Sequence, residues 1–189
     1  MSELPVRRTE RLYEGRASFP GATYFVTFVT EHRVPWLKDK KARDAAVGVL
    51  QDWHLEGVGG IRAAMVMPDH VHVLCIPGTK LTIGRCISRW KNQTMRASGY
   101  AGKWQRDFWE HRVRSSETIE DYGLYMLLNP YRAGLAKPGS LWPGWWLPDS
   151  KFFRFSAALD ERGSPPREWL EYSSERFEDL ALGESADEG

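Results

Sequence analysis

Residues 61–76 read IRAAMVMPDHVHVLCI, and this stretch decides the fold. It holds two largely apolar runs, 61–67 and 70–76, broken at Pro68-Asp69 and closed by Pro77-Gly78. Each run is too short for a buried helix, so the pattern predicts two strands joined by a tight connection. Outward from it, residues 38–56 carry Ala42, Ala45, Ala46, Val49, Leu50 and Trp53 at helical spacing, and Gly57 stops them. Upstream, residues 22–30 (ATYFVTFVT) follow the turn signal Pro20-Gly21 and read as a strand. Downstream, residues 82–96 place Ile83, Cys86, Ile87 and Trp90 on one helical face, and residues 103–114 read as extended. Ser116 is the expected N-cap of a third helix, with Glu117 and Glu120 near its positive end. That helix should end about Asn129, because Pro130 disfavours helical geometry in the residue before it. The order β-α-β-β-α-β-α predicts an α+β domain with a split βαβ core, resembling ferredoxin-like folds. Its sheet should be largely antiparallel, with helices on one or both faces. Residues 142–146 (WPGWW) and 152–155 should wrap back over the core.

A chain of 189 residues with 42% hydrophobic and 27% charged residues can bury a genuine core and is not wholly disordered. No window approaches the roughly 18 apolar residues of a membrane helix, and the N-terminus lacks the apolar core of a signal peptide. The two cysteines, Cys75 and Cys86, form neither a CxxC pair nor a disulfide framework. These features predict a cytoplasmic protein.

The formal charge of +1 conceals a division. Residues 157–189 hold ten acids against three arginines and carry −7, leaving +8 on residues 1–156. The chain therefore reads as a body, 1–156, with an acidic C-terminal tail, 157–189, flexible or loosely docked, in which residues 169–182 could be helical. Between Lys80 and Arg114, nine basic residues face only two acids and are interleaved with Trp90, Trp104, Phe108 and Trp109. Basic side chains neutralise phosphates and aromatic rings stack on unpaired bases, so the mixture suits single-stranded nucleic acid. A solvated basic face over core tryptophans is the other reading.

Two constellations can carry chemistry. His70 and His72 lie two apart in a strand, so both imidazoles project to one face and make half of a divalent metal site. The alternative is a pair of satisfied core histidines. Tyr125 and Asn129 stand one turn apart on the third helix and reach one spot. The amide oxygen is a reasonable ligand for a hard ion. Otherwise Tyr125 is core and Asn129 a helix cap. An H-x-H-x-H nucleotide hydrolase is disfavoured because position 74 is Leu. The chain is also too short for an amidohydrolase barrel, and an RNA-binding ferredoxin-like module would need an aromatic strand signature that is not evident.

MPDHVHVL (67–74), KWQRDFWEHRVR (103–114) and YMLLNPYRAGL (125–135), in that order, resemble the REP-associated tyrosine transposases, bacterial relatives of the single-tyrosine HUH transposases. PGATYFVTFVTEHRVPWL (20–37) is similar to that family's first strand, so the resemblance runs from Phe19 to Leu135. It implies a metal-dependent enzyme that cuts and rejoins single-stranded, hairpin-forming repeat DNA, as monomer or homodimer, through a 5′-phosphotyrosine. By that resemblance His70, His72 and Asn129 hold Mg²⁺ or Mn²⁺ and Tyr125 is the nucleophile. The chain departs from the pattern at Tyr131, after Asn-Pro, and at Phe108-Trp109, where relatives carry a tyrosine. Tyr122 is a further candidate nucleophile and Tyr131 a weaker one. Arg85, Arg89, Lys91, Arg96, Lys103, Arg106 and Arg114 are the expected DNA contacts, and His111 lies either near the metal or on the surface. A domesticated, non-catalytic DNA-binding protein of the same fold is the alternative.

Overall fold

The computed structural model describes residues 19, 21–100 and 102–171. Five strands form one sheet: β1 (Tyr24–Val29), β2 (Gly59–Val66), β3 (His70–Pro77), β4 (Trp109–Arg112) and β5 (Trp145–Trp146). Three helices accompany them: α1 (Lys40–Leu55), α2 (Ile83–Ser98) and α3 (Ile119–Arg132). The order across the sheet is β4-β1-β3-β2-β5, and every pairing is antiparallel. β3 lies between β1 and β2, as a split βαβ unit requires.

Strand periodicity divides the core in two. Tyr24, Val26 and Phe28 share one face with Val71, Val73 and Cys75, and α1 and α2 cover that face. Phe25 and Leu74 look the other way, against Tyr122, Tyr125, Met126 and Leu128 of α3. In β2, Ile61 faces the first layer and Ala63 the second, although they are two residues apart. A register shift between them inserts Arg62 as an extra residue and reverses the alternation.

Sequence boundaries moved where hydrogen-bond partners decide them. Asp39 caps α1, its Oδ1 accepting from the Ala42 N–H at 2.9 Å, and Thr82 caps α2. Helix α3 is capped by Thr118 rather than Ser116, the Thr118 hydroxyl accepting from the Glu120 N–H. Nor does α3 stop before Pro130. A proline in the last turn forfeits only one backbone bond, and the helix continues to Arg132. The Pro130 carbonyl then accepts from the N–H groups of Leu135 and Ala136. Asn129 is thus an interior helical residue, not a cap.

The expected strand over 103–114 shrinks to β4, preceded by a single bridge between Thr30 and Trp104. Lys91 explains the interruption: its ammonium donates to the carbonyls of Gln105 at 2.7 Å and Asp107 at 3.1 Å. Trp104 packs against Phe28, Trp36 and Trp90 and belongs to the core. The WPGWW segment returns as the edge strand β5, and Phe153 is buried against α3. Residues 157–171 dock on the body, with Ser164 and Pro165 buried and Trp169 and Leu170 against the α3 layer. Most of the expected 169–182 helix lies outside the described residues; only a short 3-10 turn, Arg167–Glu171, falls within them. Among the described residues no helix is long and apolar enough to cross a membrane.

Candidate functional site

His70 and His72 project from β3 to the α3 face, their ring centroids 4.8 Å apart. Both are buried, and each is held through Nδ1. The Asp69 Oδ1 atom lies 2.7 Å from His70 Nδ1, and the Thr27 hydroxyl lies 2.8 Å from His72 Nδ1. Thr27 stands directly opposite His72 in the β1–β3 register, which fixes this contact. The Nε2 atom of His72 faces Asn129 Nδ2 at 3.1 Å. With that amide assigned as donor, Nε2 is the acceptor and the proton sits on Nδ1, donating to Thr27.

Tyr125 occupies the same helical face as Asn129 and packs edge-on to His72, centroids 5.4 Å apart. The β3 pair and the α3 pair, over fifty residues apart in the chain, therefore meet. The Arg132 guanidinium lies 6.0 Å from the centre of the Tyr125 ring. Tyr125 is only 1% exposed, so no phosphodiester reaches its hydroxyl without a shift of the ring or of α3.

The donor set suits a hard divalent ion. Two imidazole nitrogens and, with the Asn129 amide turned over so that its oxygen faces them, one amide oxygen make up the set, with no thiolate. A carboxylate behind one histidine and a hydroxyl behind the other are the outer contacts that orient metal-binding rings. Among the described residues no three His, Cys, Asp or Glu side chains form a metal cluster. Burial raises the Asp69 carboxyl, but the hydrogen bond from His70 and the Arg33 guanidinium outweigh it and hold the carboxyl below its usual range.

Tyr122 is poorly suited to attack at neutral pH. Burial, then the Glu117 carboxylate beside it, pushes its phenol up to about 12. Tyr131 donates to the Ser140 carbonyl at 2.6 Å, away from the histidines, and burial raises its phenol too. His111 is neither at the His70–His72 pair nor free on the surface. It stacks between Trp109 and Tyr122, and Nε2 meets the Glu117 carboxylate at 2.9 Å.

The cations divide. Lys91 is buried with its ammonium on two carbonyls, so it is unsuited to phosphate and acts as a clamp. Arg85, Arg89 and Arg96 lie exposed on α2, across the sheet from the histidines. The basic stretch is therefore divided by the sheet, its α2 part lying on the face away from the histidines. Lys103 and Arg106 are exposed at the end of β1 that faces His70, where the Gln105 N–H donates to the Val29 carbonyl. Arg114 lies exposed past the far end of β4, its N–H donating to Glu117. Sequence reasoning missed Asp69, Thr27 and Arg33. Adjacency to His70 was the available signal for Asp69; nothing local distinguishes the other two.

Comparison with known proteins agrees with this architecture. Residues 18–123 match the family model for IS200-like transposases. A REP-associated tyrosine transposase of Escherichia coli K12 is 32% identical over 129 residues, covering 65% of this chain and 74% of the relative. A Haemophilus influenzae relative is 27% identical over 141 residues, covering 65% and 78%. The solved structure of a REP-associated tyrosine transposase bound to a REP hairpin aligns over 92% of both chains, with a TM-score of 0.53 and 26% identity. The fold and the histidine-bearing strand thus define a DNA transposase. The chain belongs to the IS200-like transposase family and, within it, to the REP-associated tyrosine transposases.

Proposed function

We propose that this protein is a metal-dependent single-strand DNA nickase and strand transferase acting on hairpin-forming repeat DNA, with Tyr125 as nucleophile. The observation that carries the reading is the meeting of His72 with Asn129 and Tyr125 across the β3–α3 interface. The hairpin bound by the structural relative supports the choice of DNA form.

His70, His72 and Asn129 would hold Mg²⁺ or Mn²⁺. When bound, the ion supplies charge to offset that developing on the scissile phosphate. Tyr125 attacks phosphorus, the bond to the 3′ oxygen breaks, and the proton given up by the phenol is balanced by that leaving 3′-OH. The product is a 5′-phosphotyrosine, and because one phosphodiester replaces another, a second 3′-OH can reverse the step without ATP. An unperturbed phenol titrates near 10 and is a weak nucleophile at neutral pH. The Arg132 guanidinium lies beside the Tyr125 ring, 6.0 Å from its centre. Asp69 and Thr27 keep the two imidazoles oriented. Lys103 and Arg106 are the phosphate contacts best placed to guide a single strand to this end of the sheet.

The test mixes the full chain with a labelled hairpin-bearing single strand and Mn²⁺ and looks for a covalent adduct on a denaturing gel. Wild type should form it, and Tyr125→Phe and His72→Ala should not. An adduct that persists in Tyr125→Phe moves the nucleophile elsewhere. Hairpin binding without an adduct in wild type marks a DNA-binding relative that has lost turnover.

A further inference from the structure

His32 and Arg33 adopt left-handed backbone geometry, φ 52° and 50°, and are the only non-glycine residues with positive φ among those described. Two such residues in succession are a strained arrangement, and strain of this kind persists only where surrounding contacts over-determine it. Glu31 of the same turn is tied to Lys103, and the remaining long-range contacts converge on Asp69. The Thr30 N–H and hydroxyl both donate to the Asp69 carbonyl, at 2.8 and 2.9 Å. Three residues on, the turn delivers Arg33 Nη1 to Asp69 Oδ2 at 3.1 Å. The other carboxylate oxygen, Oδ1, lies 2.7 Å from His70 Nδ1. One loop thus grips both the backbone and the side chain of the residue that grips His70.

Stability alone does not account for this. Arg33 and Asp69 side chains are 37% and 24% exposed, and ion pairs of that exposure add little to folding. What the pair does is geometric. With Oδ2 tied to the guanidinium, the carboxylate cannot rotate, and Oδ1 accepts the Nδ1 proton of His70. That selects the tautomer in which Nε2 carries the lone pair.

We propose that Arg33 is a positioning residue of the metal centre, which through Asp69 fixes His70 in the Nδ1–H tautomer and aims Nε2 at the ion. The assignment rests on the reading of His70 as a metal ligand given above. The left-handed turn is the device that brings the guanidinium to Asp69, and the strain is retained for that reason.

The experiment compares wild type, Arg33→Gly, Arg33→Lys, Asp69→Asn and Arg33→Gly/Asp69→Asn as full chains. Three readouts are taken: the His70 tautomer in metal-free protein by ¹⁵N NMR, Mn²⁺ affinity by titration calorimetry, and Tm. Glycine accepts positive φ without strain, so Arg33→Gly should keep or raise Tm. It should nevertheless let His70 populate both tautomers and weaken Mn²⁺ binding by about ten-fold. Lysine should recover part of that loss. On the Asp69→Asn background Arg33→Gly should add nothing further. His32→Gly should raise Tm and leave Mn²⁺ affinity unchanged. Wild-type Mn²⁺ affinity and an unchanged tautomer in Arg33→Gly would overturn the role of Arg33. If His70→Ala binds Mn²⁺ as wild type does, the metal-centre reading fails and the proposal falls with it, a result separable because it does not depend on Arg33.

Discussion

Tyr122 and Tyr125 sit three residues apart on one buried helix, yet their charged neighbours differ in sign. Tyr125 borders His72 and the Arg132 cation, whereas Tyr122 borders the Glu117 carboxylate, which with burial raises its phenol to about 12. Because the folded value lies above the unfolded value near 10, the fold favours the protonated phenol. That stabilisation is complete below pH 10 and is lost as pH climbs through about 12. Following phenolate absorbance against pH, Tyr122 should ionise only near pH 12 or with unfolding, and Tyr122→Phe should lower the amplitude of that late step. The spacing on the helix was legible in sequence. The sign of the neighbouring charge was not, because Glu117 precedes the helix and reaches Tyr122 only through the fold.

At the scale of elements, α3 shows why a helix read correctly can still be bounded wrongly. Its apolar pattern predicted existence and type, but the cap passed to Thr118 and the end moved past Pro130. These are decisions of single hydrogen bonds, to which periodicity is blind. The same helix contains Gly123, where a β-carbon would lie 2.5 Å from the Phe153 ring. In an exposed helix, Gly to Ala stabilises by up to about 1 kcal/mol. Here the sign should reverse: Gly123→Ala should cost about 1–3 kcal/mol through overpacking, read as a lower denaturant midpoint. A midpoint equal to or above wild type would show that Phe153 yields freely. The interrupted strand before β4 carries a related lesson, since the Lys91 that redirects those carbonyls looked like a DNA contact in sequence.

Over the whole molecule, charge and chain ends were only half legible. Summing residues finds a +8 body and a −7 tail but not where either faces. The α2 arginines proved to lie across the sheet from the histidines, while Lys103 and Arg106 lie at the histidine end. Accordingly, Lys103→Gln with Arg106→Gln should weaken single-strand DNA binding and flatten its salt dependence by up to about 2 in log–log slope. The Arg85→Gln, Arg89→Gln pair should weaken binding less than that. A boundary after residue 156, drawn on charge, leaves out docked residues: Trp169 and Leu170 pack against the α3 layer and Ser164 accepts from the Gly139 N–H. Truncation there should cost about 2 kcal/mol of apolar burial, a fall of roughly 4–8 °C in Tm. An unchanged Tm would mark 156 as the end of the folding unit.

What the sequence determined by itself was the order and type of the elements, the split βαβ topology, and the same-face pairing of His70 with His72 and of Tyr125 with Asn129. Those follow from periodicities of 2 and 3.6 residues, which are local and survive without knowledge of the partner. Only the tertiary structure decided which helix covers the histidine face, which cations share it, and that Thr27, Asp69 and Arg33 stand behind the imidazoles. Those contacts join residues tens of positions apart, and no local period encodes which surfaces meet.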